Sequence, residues 1–231
     1  MNLRSLTLLA CLVLVASGAA HATPTDDFNR ATLGPNWVIQ TGSMATDGAV
    51  VTGTDGALMT YTLGNGQTSA SVDILLNGRP DVQYGAIVLG YQDLDHNAFI
   101  KLQNNGPTSG SVNGFTNAAF YYGNNGSNGQ LDFLDISGFE NALSARITAT
   151  LVGSLATLSV DTNFDGIAEQ SFNFDYGALS FGTGVGLGIW GPAQLDSFTV
   201  GTNANAAPEP ATLALLGLAF AGIGLPRRRK L

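Results

Sequence analysis

Residues 85–102 read GAIVLGYQDLDHNAFIKL, two apolar runs separated by an aspartate-rich stretch. Runs of this length, rich in aliphatic and aromatic residues and bounded by Gly, Asp and Asn, are typical of two β-strands joined by a turn. Outward from this pair, no segment between Trp37 and Val200 keeps a helical period of 3.6 residues, whereas apolar and polar residues alternate repeatedly. Strands therefore dominate the predicted structure.

The alternation predicts a dozen strands, most of them separated by Gly, Asn or Asp. We place them at residues 37–41, 49–52, 57–63, 68–76, 85–91, 98–103, 118–122, 144–151, 156–161, 168–174, 185–190 and 196–200. Many short strands with tight turns favour two packed sheets over one open sheet. The predicted fold is all-β, a two-sheet antiparallel jelly-roll sandwich.

Composition and charge limit the possible partners. Only 11% of the 231 residues are charged, and 30 are glycine, which suits short strands joined by turns. Five of the nine basic residues are Arg4 and residues 227–230, and one of the 17 acidic residues is Glu209. Residues 23–203 therefore keep 4 basic and 16 acidic residues, a formal charge of −12. Nucleic acid is excluded as a partner because phosphate binding needs clustered Lys and Arg.

The first 22 residues have the features of a signal peptide. Arg4 precedes an apolar run at residues 6–15, and Ala20-His21-Ala22 has the small-x-small cleavage pattern. The run is about half the ~20 residues that a membrane-spanning helix needs. We predict cleavage by signal peptidase before Thr23. Cys11 is the single cysteine, so disulfides and thiol chemistry are excluded after cleavage, and lipidation at Cys11 is the alternative.

Residues 204–231 form a tail with three parts. Pro208-Glu209-Pro210 is followed by an uncharged stretch at 211–225 and then by Pro226 and the basic residues Arg227, Arg228, Arg229 and Lys230. A hydrophobic helix over 211–225 would be about 22 Å long, shorter than the ~30 Å hydrocarbon core of a bilayer. The basic cluster would stop transfer and stay in the cytoplasm. Transient membrane insertion is therefore expected, with a permanent anchor as the alternative.

The order of these parts resembles the PEP-CTERM sorting signal of Gram-negative bacteria, which membrane proteases called exosortases recognise. The resemblance implies that Pro208, Glu209 and Pro210 are the sorting motif and that residues 227–230 are the membrane stop. It further implies a membrane-held intermediate, processing near the tripeptide, and delivery to the cell surface or an exopolysaccharide matrix.

Three stretches resemble the concanavalin A-like lectin/glucanase superfold, in particular its laminin-G-like relatives. They are DDFNR with LGPNW at residues 26–37, the paired runs at 85–102, and the closing segment at 186–200. The resemblance implies that residues 23–203 form one sandwich. If its first and last strands pair, Phe28 and Phe198 share one core.

Residues 161–166 read DTNFDG, which has the D-x-N-x-D-G spacing of a calcium loop. Asp161, Asn163 and Asp165 would be the oxygen ligands, and Glu169 could add a fourth. The twelfth position is Phe172, so the bidentate acid of an EF-hand is missing. The same residues are also typical of a hairpin turn, and both interpretations stay open.

Two sets of residues are candidates for ligand contact. The stretch DLDHN at 93–97 could bind a metal or a sugar, or could be an exposed turn. Aromatic rings could stack on sugars, and Tyr84 belongs to this group, whereas Trp37 is predicted to lie in the core. Adjacent strand residues point to opposite faces, so one of the neighbouring rings of Tyr121 and Tyr122 should face the core. The candidate ligand-binding residues are Tyr91, Asp93, Asp95, His96, Tyr121, Tyr122 and Trp190.

No catalytic residue is predicted. The chain lacks the G-x-S-x-G and H-E-x-x-H motifs, and it lacks the E-x-D-x-x-E strand of the glucanases that share the resembled fold. Glycoside hydrolysis needs two suitably spaced carboxylates, and Glu140 and Glu169 are the only glutamates of residues 23–203. We expect an exported, non-enzymatic protein that binds extracellular polysaccharide. A structural or adhesive matrix protein and a glycan-active enzyme are the alternatives.

Overall fold

The computed structural model of this protein describes residues 23–106, 112–123 and 130–201. The predicted signal peptide at 1–22, the polar loop at 124–129 and the sorting tail with its predicted helix at 211–225 lie outside the described residues. Within the described ranges, no helix has the length and apolar character needed to cross a membrane.

Fifteen strands and a short 3₁₀ helix, Thr62–Gly64, make up the regular structure of the described residues. The strands are β1 (Thr25–Asp26), β2 (Trp37–Thr41), β3 (Met44–Thr46), β4 (Val51–Gly53), β5 (Ala57–Tyr61), β6 (Ser69–Leu75), β7 (Val82–Tyr91), β8 (Ala98–Asn105), β9 (Asn117–Tyr122), β10 (Gln130–Asp135), β11 (Ser144–Val152), β12 (Leu155–Asp161), β13 (Gln170–Asp175), β14 (Gly184–Trp190) and β15 (Gln194–Gly201).

These strands form two antiparallel sheets. Sheet A has the order β13-β12-β11-β6-β15-β4-β3, and β1 also pairs with β15. Sheet B has the order β10-β9-β8-β7-β14-β5-β2. The all-β, two-sheet antiparallel jelly-roll predicted from the sequence is thus confirmed.

The first and last strands close sheet A. Thr25 of β1 lies opposite Thr199 of β15, and Asp26 lies opposite Phe198. The chain then turns at Phe28, whose ring lies 5.6 Å from that of Trp37, and the Phe198 ring lies 5.0 Å from Trp37 on another side. All three side chains are buried. The predicted pairing of the chain ends, with Phe28 and Phe198 in one core, is confirmed.

Strand β7 explains why one sheet carries a second apolar layer. Ile87 and Leu89 face the core between the sheets, whereas Ala86 and Val88 belong to a separate cluster on the outer face of sheet B. All four side chains are fully buried. A strand that is buried on both faces has a continuous apolar run instead of an alternating one, which is what residues 85–91 show.

The outer face of sheet A is polar without being strongly charged. A row of hydroxyl side chains crosses six strands in register: Thr25, Thr199, Ser71, Thr148, Ser159 and Ser171. Hydroxyl side chains suit both strand geometry and contact with water. The two sheets therefore present different outer surfaces, and the apolar one belongs to sheet B.

Candidate functional site

The outer face of sheet B contains a cleft of about 400 Å³. Its walls come from five neighbouring strands, β10, β9, β8, β7 and β14. Trp190 lies opposite Tyr84 in the register of β14 and β7, and Tyr84 lies opposite Gln103 of β8. The lining residues are Val82, Tyr84, Lys101, Gln103, Asn105, Tyr121, Phe133 and Trp190.

An apolar layer lies beneath and beside this cleft. Leu58, Ala86, Val88, Phe99 and Ala119 are buried there. The Phe99 ring occupies the space beside Gly188, where an added Cβ would lie only 2.5 Å from a ring carbon. The absence of a side chain at Gly188 thus lets the Phe99 ring pack closely against β14. This packing fixes the rings that line the cleft.

Lys101 is held between two aromatic rings of the cleft. Its Nζ lies 4.4 Å from the centroid of the Tyr84 ring and 4.5 Å from that of Tyr121. Both distances suit cation–π attraction. The side chain is only 5% exposed, and this burial lowers the pKa of Lys101 to about 8.

Tyr84 brings an unused hydroxyl to the same place. The side chain is 2% exposed, and its hydroxyl has no hydrogen-bond partner among the described residues. Burial raises the pKa of Tyr84 well above its ordinary value, so the hydroxyl keeps its proton. A buried polar group without a partner destabilises a protein by about 1–3 kcal/mol, and a ligand oxygen in the cleft would remove that penalty.

Trp190 provides the largest ring of the cleft. It stacks on Tyr84 with a centroid distance of 6.1 Å and an interplanar angle of 29°, and it remains partly exposed. A partly exposed indole beside hydrogen-bond donors is suited to the apolar face of a sugar ring. None of the described residues that line the cleft is Asp or Glu. The arrangement therefore suits binding and does not supply the carboxylate pair that glycoside hydrolysis needs.

The ligand-contact residues predicted from the sequence lie in different parts of the structure. Tyr121 and Trp190 lie in the cleft. Tyr91 packs against the outer-face cluster of sheet B, where its hydroxyl lies 3.2 Å from Gln40 Oε1. Tyr122 corrects the prediction, because its ring packs in the core and its hydroxyl donates to the Ser180 carbonyl at 2.7 Å. Tyr122 is therefore not available to a ligand in the cleft.

The stretch at 93–97 forms the turn between β7 and β8. His96 Nδ1 lies 2.7 Å from Asp93 Oδ1, and the Asp95 amide donates to the same oxygen at 2.9 Å. Asn97 donates to the carbonyls of Asp93 and Leu94. None of these residues lines the cleft. Asp93, Asp95 and His96 thus belong to a hydrogen-bonded turn that is separate from the aromatic site.

The loop between β12 and β13 contains the four residues predicted for calcium. Both carboxylate oxygens of Asp161 accept backbone bonds, from Phe164 at 2.6 Å and from Gly166 at 2.9 Å. Asn163 and Asp165 each accept the amide two residues ahead, and Glu169 accepts the Thr162 amide. Within the described part of the chain, no three His, Cys, Asp or Glu side chains are grouped to hold a metal. The loop has the hydrogen bonds of a turn.

Sequence reasoning missed Lys101, Gln103, Asn105, Val82 and Phe133 as lining residues. A signal existed for Lys101: it stands between Ile100 and Leu102 in a central strand, where lysine is rare unless it has a specific environment. What the sequence does not reveal is that β9 lies on the other side of β8 and that β14 lies on the other side of β7. The cleft depends on these pairings.

Residues 206–230 match the model of the PEP-CTERM protein-sorting motif. The resemblance of the tail to this motif is therefore confirmed. The motif indicates an exported protein that is sorted to the cell envelope. No curated protein sequence is similar to this chain.

Solved structures of a CBM2 module, a lectin and a transglycosylase are similar to the sandwich. The CBM2 module of the evolved Dit of Lactobacillus casei BL23 phage J-1 has a TM-score of 0.53 and 11% identity, over 77% of this chain and 94% of the module. Lectin II from Ulex europaeus has a TM-score of 0.52 and 9% identity, over 78% and 98% of the two chains. The Crh5 transglycosylase in complex with NAG has a TM-score of 0.50 and 16% identity, over 78% and 84%. These likenesses confirm the concanavalin A-like fold.

Proposed function

We propose that this protein is an exported, non-catalytic carbohydrate-binding protein whose ligand occupies the cleft on sheet B. The observation that carries the proposal is the combination of the Trp190 ring with the buried donors of Lys101 and Tyr84 in one open cleft. Similar solved structures include a carbohydrate-binding module and a lectin, which supports a sugar as the ligand.

A glycan panel with acidic and neutral oligosaccharides tests this proposal. We expect Trp190→Ala to weaken the affinity of a bound oligosaccharide at least about fivefold, since a lost aromatic contact removes about 1 kcal/mol. Phe164→Ala is the matched control, because this exposed ring lies in the β12–β13 loop of sheet A. Absence of binding across the whole panel would overturn the proposal. Self-association of such a non-binding protein would favour the structural or adhesive alternative.

An enzyme on the same scaffold is the other alternative, since a transglycosylase shares the fold. The described lining of the cleft contains no carboxylate, so this alternative would need a different mechanism from the two-carboxylate one. We expect no release of reducing sugar from any oligosaccharide that binds.

Sorting is the second part of the proposal. We infer that an exosortase-type protease recognises Pro208, Glu209 and Pro210 while the basic residues 227–230 hold the tail in the membrane. Delivery would follow to the cell surface or the exopolysaccharide matrix of a Gram-negative bacterium. The match of residues 206–230 to the sorting motif supports this route.

Calcium remains a prediction for the loop between β12 and β13. Oxygens of Asp161, Asn163 and Asp165 each accept one amide in the structure, and an ion there would bind through their remaining lone pairs. A rise in melting temperature in millimolar calcium, lost in Asp165→Ala, would support the site. An unchanged melting temperature would leave the loop as a hairpin turn.

A further inference from the structure

The aromatic end of the cleft holds two hydrogen-bond donors, Lys101 and Tyr84, and the amide groups of Gln103 and Asn105, which both donate and accept, line the same cleft. Lys101 has three N–H donors and no acceptor. The Tyr84 hydroxyl has no partner among the described residues and keeps its proton. No acidic side chain lines the cleft in the described part of the chain. The matching ligand group is therefore rich in acceptors.

The buried positive charge of Lys101 is unusual in a domain with so few basic residues. Residues 23–203 carry 16 acidic and 4 basic residues. Arg30 pairs with Asp26 at 2.5 Å, and Arg146 pairs with Asp73 at 2.7 Å, both away from the cleft. A strongly acidic domain thus keeps one of its few cations buried between two rings of the aromatic cleft. Methionine would fill the same space without the desolvation of a charge.

We propose that the ligand of this cleft is an anionic glycan, with a uronic-acid carboxylate against Lys101 and Tyr84 and a sugar ring on Trp190. This inference rests on the proposed carbohydrate-binding function and narrows its substrate class. A sugar hydroxyl both donates and accepts, whereas a carboxylate accepts only. Charge-assisted hydrogen bonds are also roughly twice as strong as neutral ones. The Lys101 ammonium, which only donates, therefore favours a carboxylate over a sugar hydroxyl.

The test compares uronic-acid oligomers with the same oligomers after reduction of each carboxylate to a hydroxymethyl group. Titration calorimetry uses the mature protein at pH 6.5 and physiological salt, which limits long-range repulsion from the acidic surface. We expect the uronate oligomer to bind at least about tenfold more tightly than its reduced form, a difference of about 1.4 kcal/mol, because hydrogen bonds to a charged group are stronger than neutral ones.

The variant Lys101→Met tests whether Lys101 causes the preference for the uronate oligomer. We expect this variant to lose the preference, so that both oligomers bind with similar affinity. Arg79→Met is the matched control: it removes one positive charge from an exposed side chain that does not line the cleft, and it should keep the preference. Thermal melting of both variants verifies that they are folded.

The outcomes separate this inference from the proposed function. Equal or tighter binding of the reduced oligomer to the unsubstituted protein would overturn the anionic ligand and leave carbohydrate binding intact. An equal loss of preference in Arg79→Met would also overturn it, because general charge attraction would explain the result. Failure of every acidic and neutral oligomer to bind would overturn the carbohydrate proposal itself.

Discussion

We expect the burial of Lys101 to lower the stability of the domain that contains it. Burial lowers its pKa from 10.5 to about 8, which corresponds to about 3 kcal/mol at neutral pH, and the two ring contacts offset about 1–2 kcal/mol of this. We expect Lys101→Met to raise the free energy of unfolding at pH 7 by about 1 kcal/mol, measured by urea denaturation. Residues that lower stability in this way are typical of functional sites.

The stability difference between Lys101→Met and the unsubstituted protein should depend on pH. Between pH 8 and 10.5 the unfolded lysine holds its proton more tightly than the folded one, so the stability of the unsubstituted protein rises with pH. The excess in the free energy of unfolding of Lys101→Met over the unsubstituted protein should therefore decrease over that pH range and stay constant below pH 7. A variant that is less stable than the unsubstituted protein at every pH would contradict this account.

Asp26 has the opposite role, because its charge stabilises the fold. Its side chain is 8% exposed, and its carboxylate accepts the Phe28 amide at 2.9 Å, the two Arg30 Nη atoms at 2.6 and 2.5 Å, and Trp37 Nε1 at 2.7 Å. Burial would raise the pKa of Asp26, but the hydrogen bonds from Arg30 and Trp37 outweigh it and hold the pKa below its ordinary value.

We expect Asp26→Asn to lower the free energy of unfolding by about 2–4 kcal/mol, since an amide nitrogen would face these donors. The melting temperature should fall by about 5–10 °C. Asp27→Asn is the matched control, because this neighbouring carboxylate is exposed. The depressed pKa also means that Asp26 contributes stability above about pH 4 that is lost as the pH falls further. The stability of Asp26→Asn should therefore change less between pH 5 and pH 3.

Strand β14 contributes both to the packing of sheet B and to the lining of the cleft. Its sequence GVGLGIW places Gly188 under the Phe99 ring and Trp190 at the cleft. A Cβ at Gly188 would lie 2.5 and 2.6 Å from two atoms of that ring. The ring also contacts Tyr84 and Tyr121 edge to face, with centroids at 5.9 and 6.5 Å. Movement of Phe99 would therefore move the cleft.

We expect Gly188→Ala to lower the free energy of unfolding by about 1–3 kcal/mol through overpacking and to weaken glycan binding as well. Gly201→Ala is the control, since an added Cβ there would meet its nearest atom at 3.6 Å, an ordinary contact. Circular dichroism melting and the glycan titration measure the two effects. Similar behaviour of both alanine variants would show that Phe99 yields without disturbing the site.

Strands with a long alternation of apolar and polar residues could be predicted from the sequence. The twelve predicted strands correspond to observed ones, whereas β1, β3 and β10 were not predicted. The first two have only two and three residues, too few for a period. In β10 the adjacent apolar residues Phe133 and Leu134 break the alternation, because one packs on the outer face of sheet B and the other against the core.

The cleft was less predictable than the strands because it depends on pairing between distant segments. Trp190 lies beside Tyr84 only because β14 inserts between β7 and β5. Aromatic candidates could be named individually, but their common face could not be assigned without this order. Adjacency predicted that one of Tyr121 and Tyr122 faces the core, but identifying Tyr122 as that residue required the strand register.

The outer faces of the two sheets differ in the chemistry of their side chains. Sheet A exposes hydroxyl rows, while sheet B contains the apolar cluster and the aromatic cleft. A hydroxyl-covered sheet stays hydrated without many charges, which is consistent with a chain in which only 11% of residues are charged. Ligand binding is therefore expected on one face, and the mature domain would meet an extracellular polysaccharide with sheet B.

We predict that both ends of the chain are removed during export and sorting. A span of 15 residues at 211–225 is too short to cross a bilayer comfortably, so we expect the exported protein to begin at Thr23 and to lack residues 211–231. Intact-mass spectrometry on the protein from its native host measures this directly. Replacing Pro208, Glu209 and Pro210 by alanine should retain the tail and keep the chain in the membrane fraction. A mature product that still carries Leu231 would refute processing and favour a permanent anchor, with four basic residues added to a domain that otherwise carries a charge of −12.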